Sequence, residues 1–240
     1  QEFETLRLLD FPGVEKAIAL ENHQQWWMIV LEDSGGLPLN QLDLSGQLEP
    51  EDILHMALQL AEILESIHSH QIIHKNISPA NISYTSSAHQ VWLTNFSFAS
   101  LVTKEKVPVE SPYKLAGALA YISPELTGRM NRTVDYRTDY YSLGATLYEL
   151  LSGAPPFLST SRLEMVHAHL ALLPDPPKAR MQPWSSSPVS FEMDSKVLFK
   201  PLAKNRDDDT ENEMPQRELG AVVSPAACAA RRRERALSQG

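Results

Sequence analysis

The sequence predicts an α+β fold in which a few short strands lie toward the start and helices carry most of the remainder. Three observations lead there. Two runs read as strands, Val14 to Leu20 and Trp26 to Leu31, the second rich in aromatic and β-branched residues. Between residues 49 and 70, Ile53, Met56, Ala57, Leu60, Ala61, Leu64 and Ile67 recur at i, i+3, i+4 spacing, so one face of a helix is buried. Residues 139–152, DYYSLGATLYELLS, are apolar nearly all round, which is the pattern of a helix enclosed on every side.

In chain order, Phe3, Leu6 and Leu9 predict a short amphipathic helix over residues 1–10, ended by Pro12-Gly13. The two strand-like runs follow, and Gly35-Gly36 breaks the second, as a simple turn would. Pro50 suits the first turn of the 49–70 helix, where its missing N–H costs nothing. His68 and His70 lie two apart, cannot share a helix face and are expected at the surface. Ile72 to Ser97 reads as two short apolar strands, Ile72-Ile73 and Val91-Trp92-Leu93, around a polar loop. Polar loops held on a rigid scaffold usually carry function. Residues 98–120 are loop-like, with Pro108 and Pro112. Asp139 starts the buried helix and Gly153 stops it. A further helix is expected from Ser159 to Leu173, with Leu163, Val166 and Leu170 on its apolar side; His167 and His169 again have the wrong spacing for one face. From about residue 178 the composition turns polar, with the acidic run DDDTENE and the basic run RRRER, as in a poorly ordered tail.

Composition sets limits. The chain has 240 residues, 42% of them hydrophobic, with a net charge of −9, so nucleic acid is not the expected partner. One cysteine, Cys228, excludes an internal disulfide framework and a multi-cysteine zinc site, and favours a reducing, cytoplasmic compartment. No apolar run is long enough to span a bilayer, and no signal peptide opens the sequence, so no membrane association is expected. The sequence begins at Gln1, without an initiator methionine and inside a predicted helix, as expected of a fragment or processed chain.

The polar loop has an ordered layout: His74-Lys75-Asn76-Ile77-Ser78-Pro79-Ala80-Asn81, a strand, then Asn95-Phe96-Ser97. Further along stand Gly117, Tyr121, Ser123-Pro124-Glu125 and Asp139. This series resembles the serine/threonine protein kinases, whose catalytic loop reads H-R-D-x-x-x-x-N and whose metal-binding loop reads D-F-G, followed by A-P-E. Five markers agree in order and spacing: Gly35-Gly36, His74 to Asn81, Asn95-Phe96, Pro124-Glu125, and Asp139 with its helix. The run AYISPELTGRMNRTVDYRTDYYSLGATLYELLSGAPPF is the most specific part, and is most similar to kinase-like domains at the front of large bacterial multi-sensor signalling proteins.

The resemblance implies a kinase-like fold, mostly the helical large lobe with a truncated small lobe. Residues 1–33 would be the remnant of the small lobe, 34–178 the large lobe, and 179–240 a divergent tail. It also implies roles. Glu2 falls at the helix glutamate, for which an exposed surface charge is the alternative. Leu31 falls at the gatekeeper, with Glu32 and Ser34 making backbone contacts to adenine. Asn76 stands at the catalytic aspartate position, beside His74 and Lys75. Asn81 and Asn95 stand at the nucleotide and metal positions. Asp139 would anchor the catalytic loop, for which a plain helix cap is the alternative. ATP and magnesium are the implied cofactors, and a protein or a neighbouring signalling domain the implied partner.

The same comparison shows departures. The proton-accepting aspartate and the metal-holding aspartate are both asparagine, which removes a carboxylate base whose contribution is typically ~10²–10⁴-fold and the charged metal ligand, leaving only the neutral Asn81 and Asn95 at the metal positions. Ser97 replaces a permissive glycine, so restricted backbone angles are expected there. The family's glycine-rich loop and strand lysine would precede Glu2. Lys75 in place of arginine implies no need for activation-segment phosphorylation. In Leu202 to Asp209, Asp209 stands where the family has an arginine that pairs with the glutamate of A-P-E, so Glu125 is expected to lack its partner unless Arg206 reaches it. Three functional readings follow: a pseudokinase acting as a signalling module, an active serine/threonine kinase, and a non-functional kinase fragment.

Overall fold

The computed structural model describes residues 2–42, 44, 48, 50–102, 119–130 and 132–177. The expected tail, including Arg206 and Asp209, lies outside these residues, as does most of the loop between 98 and 120.

The architecture is α+β, as expected. Helix α1, Glu2–Leu8, places acidic Glu2 and Glu4 in its first turn and Arg7 in its last, which suits the helix dipole. Leu6 and Leu9 anchor it to the core. At Gly13 the chain takes φ +91°, and a Cβ there would lie 2.4 Å from Ile63 Cγ1, so only glycine fits. Strand β1 spans Ala17–His23, three residues later than Val14 suggested. The reason is tertiary: Val14 is buried in a parallel bridge to Leu93, and the Gly13 carbonyl accepts from Leu93 N at 2.7 Å. Strand β2, Trp26–Leu31, pairs antiparallel with β1. Toward its tip this hairpin is open on both faces, since the adjacent Trp26 and Trp27 point to opposite sides and are exposed by 76% and 67%, and Ile18 is exposed by 63%.

Helix α2, Pro50–Ser69, is the axis of the core. Its expected stripe is buried except for the half-buried Ala61, with Ile63 added, and it packs against the 90–93 region and the later buried helix. Beside it lies an antiparallel sheet of β3 (Leu37–Pro38), β5 (Ile82–Thr85) and β6 (Gln90–Leu93) in the order β3-β5-β6. Strand β5 interrupts what the sequence suggested was one polar loop; its pattern ISYT has only one aliphatic residue but is buried through Tyr84. Strand β4, Ile72–Ile73, pairs with β7, Ser100–Leu101, and closes the stretch between them into one compact loop unit.

Helix α3, Arg137–Ser152, is buried along almost its whole length. It starts two residues before Asp139, so Asp139 is not its cap; Gly153, at φ 77°, ends it in the left-handed form that glycine favours. Helix α4, Arg162–Ala171, is capped by Ser161, whose hydroxyl accepts from Glu164 N. Its buried face is Met165, Ala168 and His169, not the expected Leu163, which is 63% exposed. No helix among the described residues is long and apolar enough to cross a membrane.

Candidate functional site

The site is assembled from three pieces of chain: the loop after β4, the loop after β6 and the first turn of α3. Asp139 binds them together. Its side chain is fully buried; Oδ2 accepts from His74 N at 2.9 Å and Oδ1 from Lys75 N at 2.7 Å. His68, at the end of α2, donates from Nε2 to Oδ2 at 2.9 Å. Burial alone would push the Asp139 carboxyl up, but the hydrogen bonds it accepts from His68 and from His74 N outweigh that and hold it below the ordinary carboxylate range. Of the two roles open to Asp139, cap or loop anchor, its bonds are those of an anchor.

Lys75 sits at φ 66°. A non-glycine residue there costs about 1–2 kcal/mol, and such strain persists only where the surroundings over-determine it. The bond from Lys75 N to Asp139 supplies that constraint. His68 corrects the sequence reading: its side chain is only 8% exposed. The helical spacing rule compares residues on one helix, whereas His68 is claimed by another.

His74 joins the two loops. Its ring is buried, donates from Nε2 to the Thr94 carbonyl at 3.0 Å and accepts at Nδ1 from Asn76 N at 3.2 Å. That pattern is the neutral imidazole, and burial pulls its pKa down. Phe96 meets the ring edge-on, with centroids 4.6 Å apart.

Asn76, Asn81 and Asn95, expected as separate functional groups, form one hydrogen-bonded chain. Ser97 Oγ donates to Asn95 Oδ1 at 2.5 Å, Asn95 Nδ2 to Asn81 Oδ1 at 3.1 Å, and Asn81 Nδ2 to the Asn76 carbonyl at 2.7 Å. Asn76 and Asn81 are buried and Asn95 is exposed. The left-handed backbone falls on Asn95, φ 61°, a conformation that asparagine tolerates better than most residues. Ser97 is not among the positive-φ residues, so the restriction expected from losing a glycine there is not imposed.

The remaining predicted positions lie along the chain before α2. Glu2 is in the first turn of α1 and partly buried. Leu31 closes β2 and is 38% exposed. Glu32 N donates to the Lys16 carbonyl at 2.9 Å, so that N–H is engaged within the hairpin. The Ser34 carbonyl lies 3.5 Å from Thr85 Oγ1, which ties this stretch to β5. Gly36 passes so close to β5 that a Cβ would sit 3.2 Å from Ser83 Cβ.

Below the site, the 119–127 segment is held by α3 and α4. Glu125, expected to lack the family's arginine partner unless Arg206 reaches it, accepts from Thr138 Oγ1 in the first turn of α3 at 2.5 Å; Arg206 lies outside the described residues. The Tyr121 hydroxyl donates to Glu149. His169 donates from Nε2 to the Leu119 carbonyl at 2.8 Å and accepts from Tyr141 at 2.6 Å; burial lowers its pKa to about 4. His169 went unrecognised in the sequence because only its neighbours along α4 were visible there.

This order of elements and motifs matches the protein kinase domain, which covers residues 1–217. The chain belongs to the protein kinase family. It is 33% identical over 181 residues to the serine/threonine-protein kinase PknB of Mycolicibacterium smegmatis, which covers 75% of this chain and 28% of that protein. Its likeness to the Mycobacterium tuberculosis H37Rv PknB is 32% over 178 residues, covering 74% and 27% of the two chains. A probable serine/threonine-protein kinase of Streptomyces coelicolor is 33% identical over 180 residues, covering 75% and 25%. The chain thus spans about a quarter of the length of these relatives.

Kinases generally use ATP and magnesium. The residues at the metal positions of this kinase domain do not fit magnesium, which is held through carboxylates and oxygen ligands in near-octahedral array. Asn81 and Asn95 are neutral, and each Oδ1 already accepts a hydrogen bond within the protein. No group of three or more His, Cys, Asp or Glu among the described residues could hold a metal ion.

Proposed function

We propose that this kinase-like domain is a pseudokinase: a signalling module, residues 34–178 with the small-lobe segment 1–33, that regulates a protein partner or neighbouring domain in the cytoplasm without transferring phosphate. The observation that carries this reading is the state of Asn76 and Asn95. A carboxylate at residue 76 would accept the proton of a substrate hydroxyl; the Asn76 amide has no such basicity, and its main chain is tied to Asn81 and His74. Asn95 is tied to Asn81 and Ser97 rather than presenting charge to a cation. Nucleotide binding belongs to the proposal, with adenine at the backbone of Glu32 and Ser34 beneath Leu31, phosphates toward Asn81 and Asn95, and Glu2 on the adjoining helix.

An active serine/threonine kinase is the second reading, favoured by the intact anchoring of the loop by Asp139. A transfer assay separates the two. The 240-residue chain, in excess over γ-labelled ATP with magnesium or manganese, is incubated with itself and with a serine- and threonine-rich acceptor protein. The pseudokinase reading expects no label on either protein. Divalent-cation-dependent labelling that Asn76→Ala abolishes would establish the kinase instead.

A further inference from the structure

The poor fit to magnesium has a positive counterpart. Ser97, Asn95, Asn81 and Asn76 form a chain in which each member donates to the next, at 2.5, 3.1 and 2.7 Å. Such chains polarise one another and resist piecemeal disruption. The direct bond from Asn95 to Asn81 joins the two side chains that a cation would otherwise bridge. To ligate an ion, Asn95 would have to turn its oxygen toward Asn81, breaking that bond and presenting its NH2 group to Ser97. Little is available to repay this, because neither ligand is charged.

We infer that this amide chain replaces the divalent cation, so that the site takes a metal-free nucleoside triphosphate. The inference rests on the nucleotide-binding part of the reading above. A carboxylate at residue 95 repels phosphate oxygens unless a cation lies between them; an amide does not. An amide carries two N–H donors, and Asn95 is exposed, with one of them directed at Asn81. The other can meet an anionic phosphate oxygen in a charge-assisted hydrogen bond. The substitution therefore removes both the charged ligand for magnesium and the repulsion between carboxylate and phosphate that magnesium would offset.

Calorimetric titration of the full 240-residue chain with ATP, once in EDTA and once with excess magnesium, tests this. The expected result is binding in EDTA at least as tight as with magnesium, and no change in unfolding temperature on adding magnesium alone. Asn95→Asp should reverse the preference, binding ATP about tenfold more tightly with magnesium than without it. Wild-type binding about tenfold tighter with magnesium would overturn the inference. Absence of binding in both solutions would overturn it too, while leaving the partner-regulating module intact. Phosphate transfer in the assay above would defeat that module reading whatever the cation dependence, so the two failures are distinguishable. The wild-type comparison decides the matter even if Asn95→Asp does not fold.

Discussion

Asp139 and Asn95 show opposite solutions to the same family pattern, which has aspartate at both places. At 139 the carboxylate is kept, fully buried, with all of its recorded partners inside the protein: two backbone N–H groups and His68. At 95 it has become an amide, exposed, in a place where a carboxylate's partner would come from solution. The difference teaches that the carboxylate that shapes the loop and the one that would serve chemistry are separable. The first cannot be lost without stranding buried donors. The second can be exchanged for a neutral group that satisfies its neighbours directly.

The widest contrast is expected from truncation. Asp139→Ala leaves His74 N, Lys75 N and His68 Nε2 without their acceptor, and each stranded buried group costs about 1–3 kcal/mol. A loss of about 3–5 kcal/mol is expected in urea unfolding, whereas Asn95→Ala should cost about 1–2 kcal/mol, mostly from the left-handed backbone there, because water can replace its exposed amide. Comparable losses would break the comparison.

Acid should sharpen it. Histidines held neutral by burial make stability that is complete above their unfolded pKa, about 6.5, and is lost as pH falls toward their folded values. For His169 that window runs from about 6.5 down to about 4, with His74 acting in the same direction. Asp139, depressed in the fold, adds stability above its unfolded pKa of about 3.9 that disappears only at lower pH. The chain should therefore lose on the order of 2 kcal/mol between pH 7 and pH 4 before the anchor itself titrates. His169→Gln should flatten that slope, and an unchanged slope would remove His169 from the account.

Gly13→Ala is expected to cost about 1–3 kcal/mol, through a positive φ and the clash with Ile63. The smallest effect is expected at Ser123, whose buried hydroxyl has no partner among the described residues. Ser123→Ala, which restores the family's alanine, should leave thermal stability unchanged or raise it slightly. A clear loss would mean that the hydroxyl has a partner.

The sequence reveals long, periodic elements far better than it reveals the contacts between them. The stripe on α2 is visible because helical repetition reports burial directly. The catalytic-loop layout and the role of Asp139 are visible because the family pattern fixes both residue type and spacing. Strand β5 is hidden because three consecutive residues buried by a tertiary sheet carry no alternation. The inner face of α4 is hidden because Ala168 and His169 pack where Leu163 does not, a choice made by the 119–127 segment and not by the helix. The bond from His68 to Asp139 and the one from Asn95 to Asn81 join residues 71 and 14 positions apart, which no local rule connects.

The most direct test of that separation is a pair of nearly isosteric exchanges, Asp139→Asn and Asn95→Asp, compared by urea unfolding at neutral pH. The first puts an amide NH2 against buried N–H donors; the second puts a carboxylate into a solvated position. The expected result is a loss of about 2 kcal/mol or more for Asp139→Asn and a change within about 1 kcal/mol for Asn95→Asp. Equal losses, or a larger one at residue 95, would contradict the account.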